Sequence, residues 1–341
     1  MKRFTKKDRI PTISFTIVVP FRNEAENLPK LLHTISNLNY PKELFEVILV
    51  DDDSGEEFRI QNLEFRIHIV KNIRRSNSPK KDAIETAIAI AKNDWIITTD
   101  ADCFVQKDWL SSFDQLIQEK DLKMIASGVC YVPKSGFLHA FQTLDFLSLQ
   151  GATIGSFGIN KPFMCNGANF AYAKTFFKEL NGFQGNENIA SGDDVFLLQK
   201  AILSAPKKVE FLYTKESIVS TKSVGSWSEL FQQRVRWASK STGYSSVYGK
   251  LLALVVFGGN VVWLVAFILW LFGYLDTNIF LVFIASKFLV DFILLFKTAN
   301  FFESKLKYVV ASSLLYPFFS VSVAVYSLFG EYSWKGRVFS K

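Results

Sequence analysis

The sequence predicts an α/β protein with a mostly parallel sheet, followed by transmembrane helices, and three observations lead to this class. Short apolar strands rich in β-branched residues alternate with amphipathic helices up to about residue 250. Polar and acidic clusters stand where those strands end. Beyond them lie three long apolar runs, Leu251–Tyr274, Ile279–Phe296 and Tyr308–Gly330. Strand–helix alternation is typical of parallel sheets, whose ligand sites lie along the edge formed by the carboxyl ends of the strands.

The strands and helices follow one another in a regular order, with the strands recognised by their β-branched apolar content. The predicted strands are Ser14–Pro20, Glu43–Val50, Ile67–Val70 and Trp95–Thr99. The predicted helices run from Leu28 to Ile35, from Lys80 to about Lys92, and from Val195 to Leu203.

Asp100 and Asp102 are the acids around which the functional prediction is built. Alternate residues of an extended chain point the same way, so both carboxylates leave the end of the strand Trp95–Thr99 on one face. Neighbouring carboxylates repel each other unless a cation or a basic group lies between them, and all-oxygen ligands suit Mg²⁺ or Mn²⁺. The alternative is a solvated turn that happens to contain two acids.

Two further acid clusters, Asp51–Asp53 and Asp193–Asp194, add to this negative charge. A nucleoside diphosphate with a divalent ion would satisfy all three clusters, because ribose hydroxyls and a base N–H can donate to carboxylates. Arg22 and Lys81 are expected to contact phosphate oxygens. Taken singly, each is equally well explained as a surface cation.

The three apolar runs approach or exceed the roughly 18–20 residues that a helix needs to cross a bilayer. The first and third runs show no polar face, so we expect both to insert into the membrane. The second run carries Lys287 and Asp291 four residues apart. It is therefore expected to pair these two charges internally, to lie shallow, or not to span.

Charge and targeting signals set the expected location. The net charge is +7, but no basic stripe with interleaved aromatic residues occurs, so nucleic acid is not an expected partner. The basic residues Lys2, Arg3, Lys6 and Lys7 are not followed by an apolar segment long enough for a cleaved signal peptide. The basic loop Lys297–Lys307 is expected on the cytoplasmic side. We therefore predict a multi-pass protein of the cytoplasmic membrane whose catalytic domain faces the cytoplasm.

The sequence is compatible with two or with three membrane crossings. A third crossing would leave the basic stretch Trp334–Arg337 outside, against the rule that positive charge stays inside. Either one apolar run does not span, or the short tail tolerates the violation.

The aromatic-rich stretch between Gly136 and Pro162 predicts an amphipathic helix from about Phe137 to Leu149. His139 and Asp145 interrupt its apolar surface. We interpret it either as a helix in the membrane interface that shapes the acceptor entrance or as an ordinary core helix.

Several motifs, taken in order along the chain, resemble those of the family 2 glycosyltransferases of GT-A fold. The segments are Val19–Glu24, Val50–Ser54, Lys80–Ile84, Asp100–Asp102, Asn166–Asn169, Asn181–Phe183, Gly192–Asp194 and Gln233–Trp237. The last of these matches the Gln-x-x-Arg-Trp motif of that family in full. The resemblance covers roughly residues 14–240 and implies a Rossmann-like nucleotide-diphospho-sugar transferase domain.

The resemblance also implies a role for each matched residue. Asp52, with Asp51 beside it, would hold the base and ribose of the donor, and Asp102 would bind the metal that bridges the diphosphate. The donor-binding residues would be Pro20, Arg22, Glu24, Asp51, Asp52, Lys81 and Asp100. The diphosphate and the acceptor would be contacted by Gln233, Arg236, Trp237, Asn166 and Gly167. Mg²⁺ or Mn²⁺ would be held by Asp102 and Asp100.

Asp194 would be the general base that deprotonates the acceptor hydroxyl. The chain departs from the family pattern at the preceding residue, which is Asp193 where the family usually has Glu, so Asp193 is the second candidate for the base. The alternative is a helix cap, because Ser191, Gly192 and Asp193 precede the predicted helix Val195–Leu203 and acids there offset its dipole.

The predicted organisation has four parts: a basic segment 1–13, a GT-A domain 14–245, two to three transmembrane helices within 250–330, and a tail 331–341. One carboxylate base without a protein nucleophile means a single displacement. The predicted function is an inverting glycosyltransferase that moves a sugar from a nucleotide-diphosphate sugar, with UDP favoured, to a membrane- or lipid-linked acceptor. The expected partners are this donor, a lipid or glycan acceptor and the membrane. The alternatives are a processive polysaccharide synthase and a non-catalytic nucleotide-sugar-binding membrane protein.

Overall fold

The structure is a computed structural model that describes residues 3–4, 9–55, 64–187, 189, 191–334 and 337–339. Of the residues singled out above, Lys2, Lys6, Lys7, Lys335 and Gly336 lie outside the described ranges. The chain divides into two compact units. The first comprises residues 1–132 and 153–222, and the second comprises residues 133–152 and 223–341.

The strands and helices are numbered in chain order. The strands are β1 Phe15–Phe21, β2 Phe45–Asp51, β3 Arg66–Lys71, β4 Trp95–Thr98, β5 Met124–Ser127, β6 Val129–Tyr131, β7 Phe170–Ala173, β8 Val209–Leu212, β9 Val219–Thr221, β10 Tyr332–Trp334 and β11 Arg337–Phe339. The helices are α1 Leu28–Ser36, α2 Pro79–Ile90, α3 Trp109–Glu119, α4 Phe137–Gly158, α5 Lys174–Glu179, α6 Asp193–Ser204, α7 Trp227–Ser239, α8 Val247–Leu271, α9 Thr277–Phe302 and α10 Val309–Phe329.

The first unit is built on a seven-stranded sheet in the order β3-β2-β1-β4-β7-β5-β8. Phe15 pairs with both Phe45 and Trp95, and these pairings are parallel. Only β7 runs antiparallel to its neighbours β4 and β5. The predicted α/β class with a mostly parallel sheet is therefore confirmed. Because β1, β2 and β4 run in one direction, their carboxyl ends meet at one edge of the sheet.

The central strands are buried on both faces, which explains why they read as continuous apolar runs rather than alternating ones. Ile17, Val18 and Val19 are fully buried in β1. Ala83 and Ala87 of α2 belong to the core cluster that covers one face of the sheet. Their small side chains let α2 lie close to the strands, so the residues at its N-terminal end are held near the sheet edge.

The element boundaries differ from the predicted ones in two places that matter. Helix α6 begins at Asp193, two residues before the predicted start at Val195, so both candidate bases lie in its first turn. Helix α9 continues to Phe302, so the predicted basic loop Lys297–Lys307 is wrong in its first half. Its apolar face continues through Ala299 and Phe301, which are buried.

In the second unit, α8, α9 and α10 are each long and apolar enough to cross a membrane. Val255, Val290 and Val310 are about two-thirds exposed, one on each helix (69%, 68% and 63%). Apolar surface on this scale is covered by lipid or by a partner in the native environment. The predicted pair in the second run does form, with Lys287 Nζ 2.6 Å from Asp291 Oδ2.

Helix α4 is longer than predicted, and its first part belongs to the second unit. Phe137 contacts Trp227 of α7, with ring centroids 6.1 Å apart, and Phe141 contacts Phe319 of α10 at 5.2 Å. This aromatic packing explains why residues 133–152 group with the apolar helices and not with the sheet. The residues of α4 from 153 onward group with the first unit.

Candidate active site

Asp100 and Asp102 lie at the sheet edge where β1, β2 and β4 end. The backbone pairing of β4 with β1 continues one residue past the strand, since Thr99 N donates to Val18 O at 3.1 Å. The chain then turns, and Cys103 N donates to Asp100 O at 3.1 Å. Both acids therefore lie at the predicted strand end, but in a short hydrogen-bonded turn and not on an extended chain with alternating side chains.

Asp102 is the most electrostatically perturbed of these acids. Its Oδ2 accepts a hydrogen bond of 3.0 Å from Thr221 Oγ1, which lies at the end of β9. Burial, followed by repulsion from Asp100 and Glu24, raises the pKa of Asp102 to about 6. The charged form of Asp102 is thus disfavoured first by burial and then by the two neighbouring carboxylates. Thr221 was not found from the sequence, since a lone threonine at a strand end gives no signal.

Lys80 is the main site residue that sequence reasoning missed. Its Nζ lies 2.7 Å from Asp100 Oδ1 and 3.7 Å from Asp193 Oδ2. Burial by itself lowers the pKa of Lys80, but attraction to the carboxylates of Asp100 and Asp193 outweighs burial and raises the pKa above its ordinary value. The ammonium therefore stays charged and joins an acid at the strand end to an acid on α6.

Lys81, the predicted phosphate contact, is placed differently, and this prediction is wrong for the conformation described. Its side chain is 1% exposed, and Nζ donates to the carbonyl oxygens of Asn186 at 2.6 Å and Ile189 at 2.9 Å. The ammonium also lies 5.1 Å from the centre of the Phe196 ring. Consecutive residues of a helix point about 100° apart, so only one of Lys80 and Lys81 can face the acids at the sheet edge.

Asp193 and Asp194 occupy the first turn of α6, where the helix dipole favours negative charge. Gly192 precedes them with a left-handed φ of 83°, a conformation that glycine adopts without steric cost. The N-cap residue is Gly192, so the predicted side-chain cap is not observed, but both acids do lie in the first turn, as the alternative of an offset helix dipole also predicted. Asp194 Oδ2 accepts from Gly167 N at 2.8 Å, and its Oδ1 accepts from Val195 N at 2.7 Å. The carboxylate of Asp194 is thus fixed by two backbone donors.

Asn166 and Gly167 lie in a turn against these acids. The Asn166 side chain accepts a hydrogen bond of 3.0 Å from Ala168 N, and Thr98 Oγ1 donates to Gly167 O at 2.6 Å. A Cβ atom on Gly167 would lie 3.0 Å from Asp193 Oδ2 and 3.4 Å from Lys80 Nζ. Only glycine gives the backbone this close approach, which explains the residue type at this position.

Asp51 and Asp52 form a second group at the ends of β1 and β2. Asp52 is 7% exposed, and its Oδ1 accepts from Asn72 Nδ2 at 2.7 Å and lies 3.4 Å from Arg74 Nη1. Asp51 Oδ1 accepts from Ser54 N at 3.0 Å. Asn72 and Arg74, which follow β3, were not found from the sequence because neither belongs to a recognisable motif.

The three remaining donor-side residues lie at the end of β1 or directly after it. Pro20 stands opposite Val50 in the parallel register. Arg22 Nη1 donates to Asp52 O at 2.8 Å, so the guanidinium is engaged with the second acid group. Glu24 Oε2 accepts from Asn27 Nδ2 at 2.5 Å. The first unit thus brings together all the predicted donor residues except Lys81 along one sheet edge.

The residues present fit a divalent cation that takes only part of its ligands from the protein and the rest from water and substrate phosphates. Within the described ranges, no three His, Cys, Asp or Glu side chains converge on one point. Asp102 and Asp100 supply carboxylate oxygens, and Mg²⁺ or Mn²⁺ commonly binds through one or two carboxylates with water and substrate phosphates filling the other positions. Burial and the nearby carboxylates of Asp100 and Glu24 raise the pKa of Asp102, and a bound cation would favour its charged form against both effects.

The Gln-x-x-Arg-Trp residues lie on α7 in the second unit. The helix begins at Trp227 after Ser226, whose hydroxyl accepts from Glu229 N at 3.2 Å as a cap. Gln233 accepts a hydrogen bond from Arg234 Nη1, and the Arg234 guanidinium lies 4.2 Å from the centre of the Trp237 ring. Arg234, which the motif does not include, therefore contacts two of its members.

Comparison with known proteins shows which family this chain is similar to. The model of the family described as glycosyl transferase family 2 matches residues 16–180. The poly(ribitol-phosphate) beta-N-acetylglucosaminyltransferase TarS of Staphylococcus aureus is 24% identical over 229 residues, which are 62% of this chain and 36% of that protein. The undecaprenyl-phosphate 4-deoxy-4-formamido-L-arabinose transferase of Proteus mirabilis is 32% identical over 108 residues, which are 30% of this chain and 31% of that one. The chain thus matches about a third of the length of these relatives.

Among solved structures, a mannosyltransferase from Pyrobaculum calidifontis in complex with GDP-Man and Mn²⁺ is similar at a TM-score of 0.52. It is 15% identical in sequence, and the match covers 94% of this chain and 90% of that one. At this identity the likeness shows the fold alone, and it agrees with the predicted GT-A architecture.

Proposed function

We propose, from the match of residues 16–180 to the glycosyl transferase family 2 model, that the chain is an inverting transferase. It would move a sugar from a nucleotide-diphosphate sugar to a membrane- or lipid-linked acceptor. The observation that carries the proposal is the grouping of Asp100, Asp193 and Asp194 around Lys80 and Gly167. Acids from a strand end and a helix start are held there beside one ammonium, at the edge where parallel sheets bind ligands.

Asp194 is assigned as the general base. The backbone N–H groups of Gly167 and Val195 hold the carboxylate of Asp194 in position. An ionised carboxylate is a hydrogen-bond acceptor and can take the proton of an acceptor hydroxyl. As that proton leaves, the acceptor oxygen bonds to the anomeric carbon of the sugar. The bond from this carbon to the diphosphate breaks, and its electron pair leaves with the nucleoside diphosphate. A single displacement of this kind inverts the anomeric configuration.

Lys80 has a supporting role in this proposal. Its ammonium keeps Asp100 and Asp193 close together in spite of their like charges. It also brings a fixed positive charge to the site, which stabilises a transition state in which negative charge grows on the leaving diphosphate.

Asp102 and Asp100 would hold Mg²⁺ or Mn²⁺. When bound, the ion would neutralise the charge that develops on the diphosphate. On the donor side, Asp52 is assigned to the base and ribose, since Asn72 and Arg74 hold its carboxylate in place at the end of β2. UDP is the favoured nucleotide.

A membrane acceptor is proposed from the apolar helices α8, α9 and α10. A catalytic unit attached to such helices works close to the bilayer, where lipid-linked acceptors are concentrated. One relative, the undecaprenyl-phosphate transferase of Proteus mirabilis, is named for a lipid phosphate. We place the protein in the cytoplasmic membrane with its catalytic unit in the cytoplasm.

The first experiment uses detergent-purified full-length protein and a panel of UDP-, GDP- and dTDP-sugars with Mn²⁺ or Mg²⁺. Thermal stabilisation and release of nucleoside diphosphate are followed beside the Asp102→Ala variant. The proposal predicts that one donor stabilises the protein only with metal, and that the variant loses this response. No stabilisation and no release with any donor, with lipid extract present, would contradict the proposal.

The base assignment is tested by comparing Asp194→Asn with Asp193→Asn. Loss of the base should lower transfer by about a hundredfold or more while donor binding is retained. If Asp193→Asn loses transfer and Asp194→Asn keeps it, the base is Asp193. The length of the product is read in the same assay, because one added sugar indicates single transfer and a ladder indicates a processive synthase.

A further inference from the structure

Asp145 of α4 and Arg234 of α7 form a buried ion pair in the second unit. Arg234 Nε lies 2.5 Å from Asp145 Oδ2, and each side chain is 6% exposed. Asp145 is the only acidic residue of α4. Burying two charges costs desolvation energy that a well-packed apolar pair would avoid, so such a pair is weak evidence for stability alone. Its contacts indicate another role.

The Arg234 guanidinium contacts the side chains of two motif residues. Its Nη1 donates to Gln233 Oε1, and its central carbon lies 4.2 Å from the centre of the Trp237 ring. Phe146, which follows Asp145 on α4, contacts the same indole with ring centroids 6.0 Å apart. The Trp237 ring is therefore held by the Arg234 guanidinium, which is paired with Asp145, and by the ring of Phe146. Asp145 and Phe146 are adjacent residues of α4.

The Asp145 carboxylate has a further partner on α10. The Tyr316 side chain lies near it and contacts Phe141 of α4, with ring centroids 6.3 Å apart. Three helices therefore meet at one carboxylate, and the orientation of Arg234 is tied to α4 and α10 as well as to its own helix. A planar guanidinium bound in this way has little rotational freedom.

We propose that Asp145 and Arg234 are positioning residues that hold Gln233 and Trp237 in the orientation required for sugar transfer. Because the Gln233 Oε1 accepts from Arg234, the group that Gln233 offers to an anionic or hydroxyl-bearing ligand is its NH₂ donor. Trp237 presents a fixed apolar face. This inference rests on the proposed transferase function, because the family resemblance assigns these two motif side chains to the diphosphate and the acceptor.

Two variants separate positioning from simple charge neutralisation. Asp145→Leu/Arg234→Met removes both buried charges and keeps similar side-chain lengths, so the melting temperature should stay near the wild-type value or rise. Arg234→Lys keeps the positive charge but removes the planar guanidinium, which contacts both Gln233 and Trp237. The positioning role predicts that both variants retain metal-dependent stabilisation by the donor, while turnover falls at least about tenfold.

The donors in this assay are UDP-N-acetylglucosamine and GDP-mannose with Mn²⁺, and the readout is nucleoside diphosphate release with added lipid extract. The control is Lys287→Met/Asp291→Leu, which removes an ion pair between α9 residues that contact no motif side chain among the described contacts. The control should keep wild-type turnover. Turnover within about twofold of wild type in both Arg234 variants would overturn the proposal.

A second readout keeps the inference testable if the proposed function fails. The full chain is labelled with 5-fluorotryptophan, and Trp237→Phe identifies the ¹⁹F resonance of Trp237. Loss of the guanidinium from the indole face should shift or broaden that resonance in both Arg234 variants and leave it unchanged in the control. If wild type releases no nucleotide but the resonance responds in this way, the proposed function fails while the positioning of Trp237 stands. An unchanged resonance would overturn the positioning itself.

Discussion

At the scale of single residues, the chemistry of the candidate site depends on which charges meet. Asp102 carries a pKa raised to about 6 by burial and by Asp100 and Glu24. Lys80 counters the charge of Asp100 and Asp193, not that of Asp102. The site thus leaves one carboxylate poorly compensated, and this should lower the stability of the metal-free protein.

The first prediction concerns Asp102→Asn in protein freed of metal with a chelator. Because the pKa of Asp102 is raised in the folded chain, the folded state binds its proton more tightly than the unfolded state does between about pH 4 and pH 6. The carboxyl therefore favours folding at low pH, and this contribution is lost as the pH rises through 6. At pH 7.5 the variant should be more stable by up to about 3 kcal/mol.

This prediction is measured by thermal unfolding at pH 4.5 and pH 7.5. The gain in melting temperature should be large at pH 7.5 and small at pH 4.5, and added Mn²⁺ should stabilise the wild type more than the variant. An equal effect of the substitution at both pH values would show that the charge of Asp102 is not its cause.

The second prediction concerns Gly167→Ala. The added Cβ would lie 3.0 Å from Asp193 Oδ2, so this carboxylate must shift, and it would touch Asp194 Cβ at 3.4 Å. Transfer should fall about tenfold or more, because small displacements of catalytic groups are costly. Donor binding at Asp102 and Asp52 should change little.

The matched control for this change is Gly55→Ala, because a Cβ at Gly55 meets nothing within 4 Å. Initial rates and donor-induced thermal stabilisation are compared for both variants. Wild-type rates in Gly167→Ala would mean that the position of the acids on α6 does not limit the reaction.

At the scale of helices, α4 and α9 cross closely in the second unit. A Cβ on Gly151 would lie 2.4 Å from Thr298 Oγ1 and 2.8 Å from Leu294 Cδ1. Leu295, Thr298 and Ala299 are buried on the same end of α9. The absence of a side chain at Gly151 is what permits this contact, as small residues do at helix crossings in membranes.

The third prediction is therefore that Gly151→Ala weakens this crossing. Gly155→Ala, one turn further along α4, is the control because a Cβ there meets nothing within 4 Å. Both changes raise helix propensity by about 1 kcal/mol, so the difference between the variants reports the steric clash. In detergent, the melting temperature should fall for Gly151→Ala and hold or rise for Gly155→Ala. Equal melting temperatures would contradict the close crossing.

At the scale of the whole molecule, packing within the second unit bears on the number of membrane crossings. Helix α10 lies along α7, with Phe231 near Tyr326 at 5.5 Å between ring centroids and with Val235 packed against Val323. The terminal strand β10 also contacts α7. Helix α7 carries Glu229 and Arg236 and is too polar for the hydrocarbon core. A helix packed beside α7 along this length must therefore share its depth.

The fourth prediction is that α8 and α9 cross the membrane and α10 does not, which leaves both ends of the second unit on the catalytic side. This arrangement also satisfies the positive-inside rule for Arg337. Single cysteines at Tyr274, Lys305 and Arg337 are introduced after the native cysteines are replaced, and intact bacterial cells are treated with an impermeant maleimide. Only Tyr274→Cys should react before permeabilisation. Reaction of Arg337→Cys in intact cells would show that α10 crosses.

The sequence by itself determined the features that depend on local pattern. Buried β-branched runs and their order predicted the sheet, and the length of the apolar runs predicted the helices α8 to α10. Acids at strand ends predicted which sheet edge carries the candidate site, because parallel strands bring their carboxyl ends together. Asp100 and Asp102 were identified in this way, because two acids one residue apart at the end of a predicted strand can be recognised from the sequence alone.

Tertiary structure decided which side chains meet across long stretches of chain. Lys80 and Lys81 have the same charge and adjacent positions, and only the rotation of α2 directs Lys80 to the acids and Lys81 to the carbonyls of residues 186 and 189. Thr221 reaches Asp102 and Arg234 reaches Asp145 over separations of 119 and 89 residues. Such partners leave no periodic trace in the sequence, because their contact is produced by packing and not by local conformation.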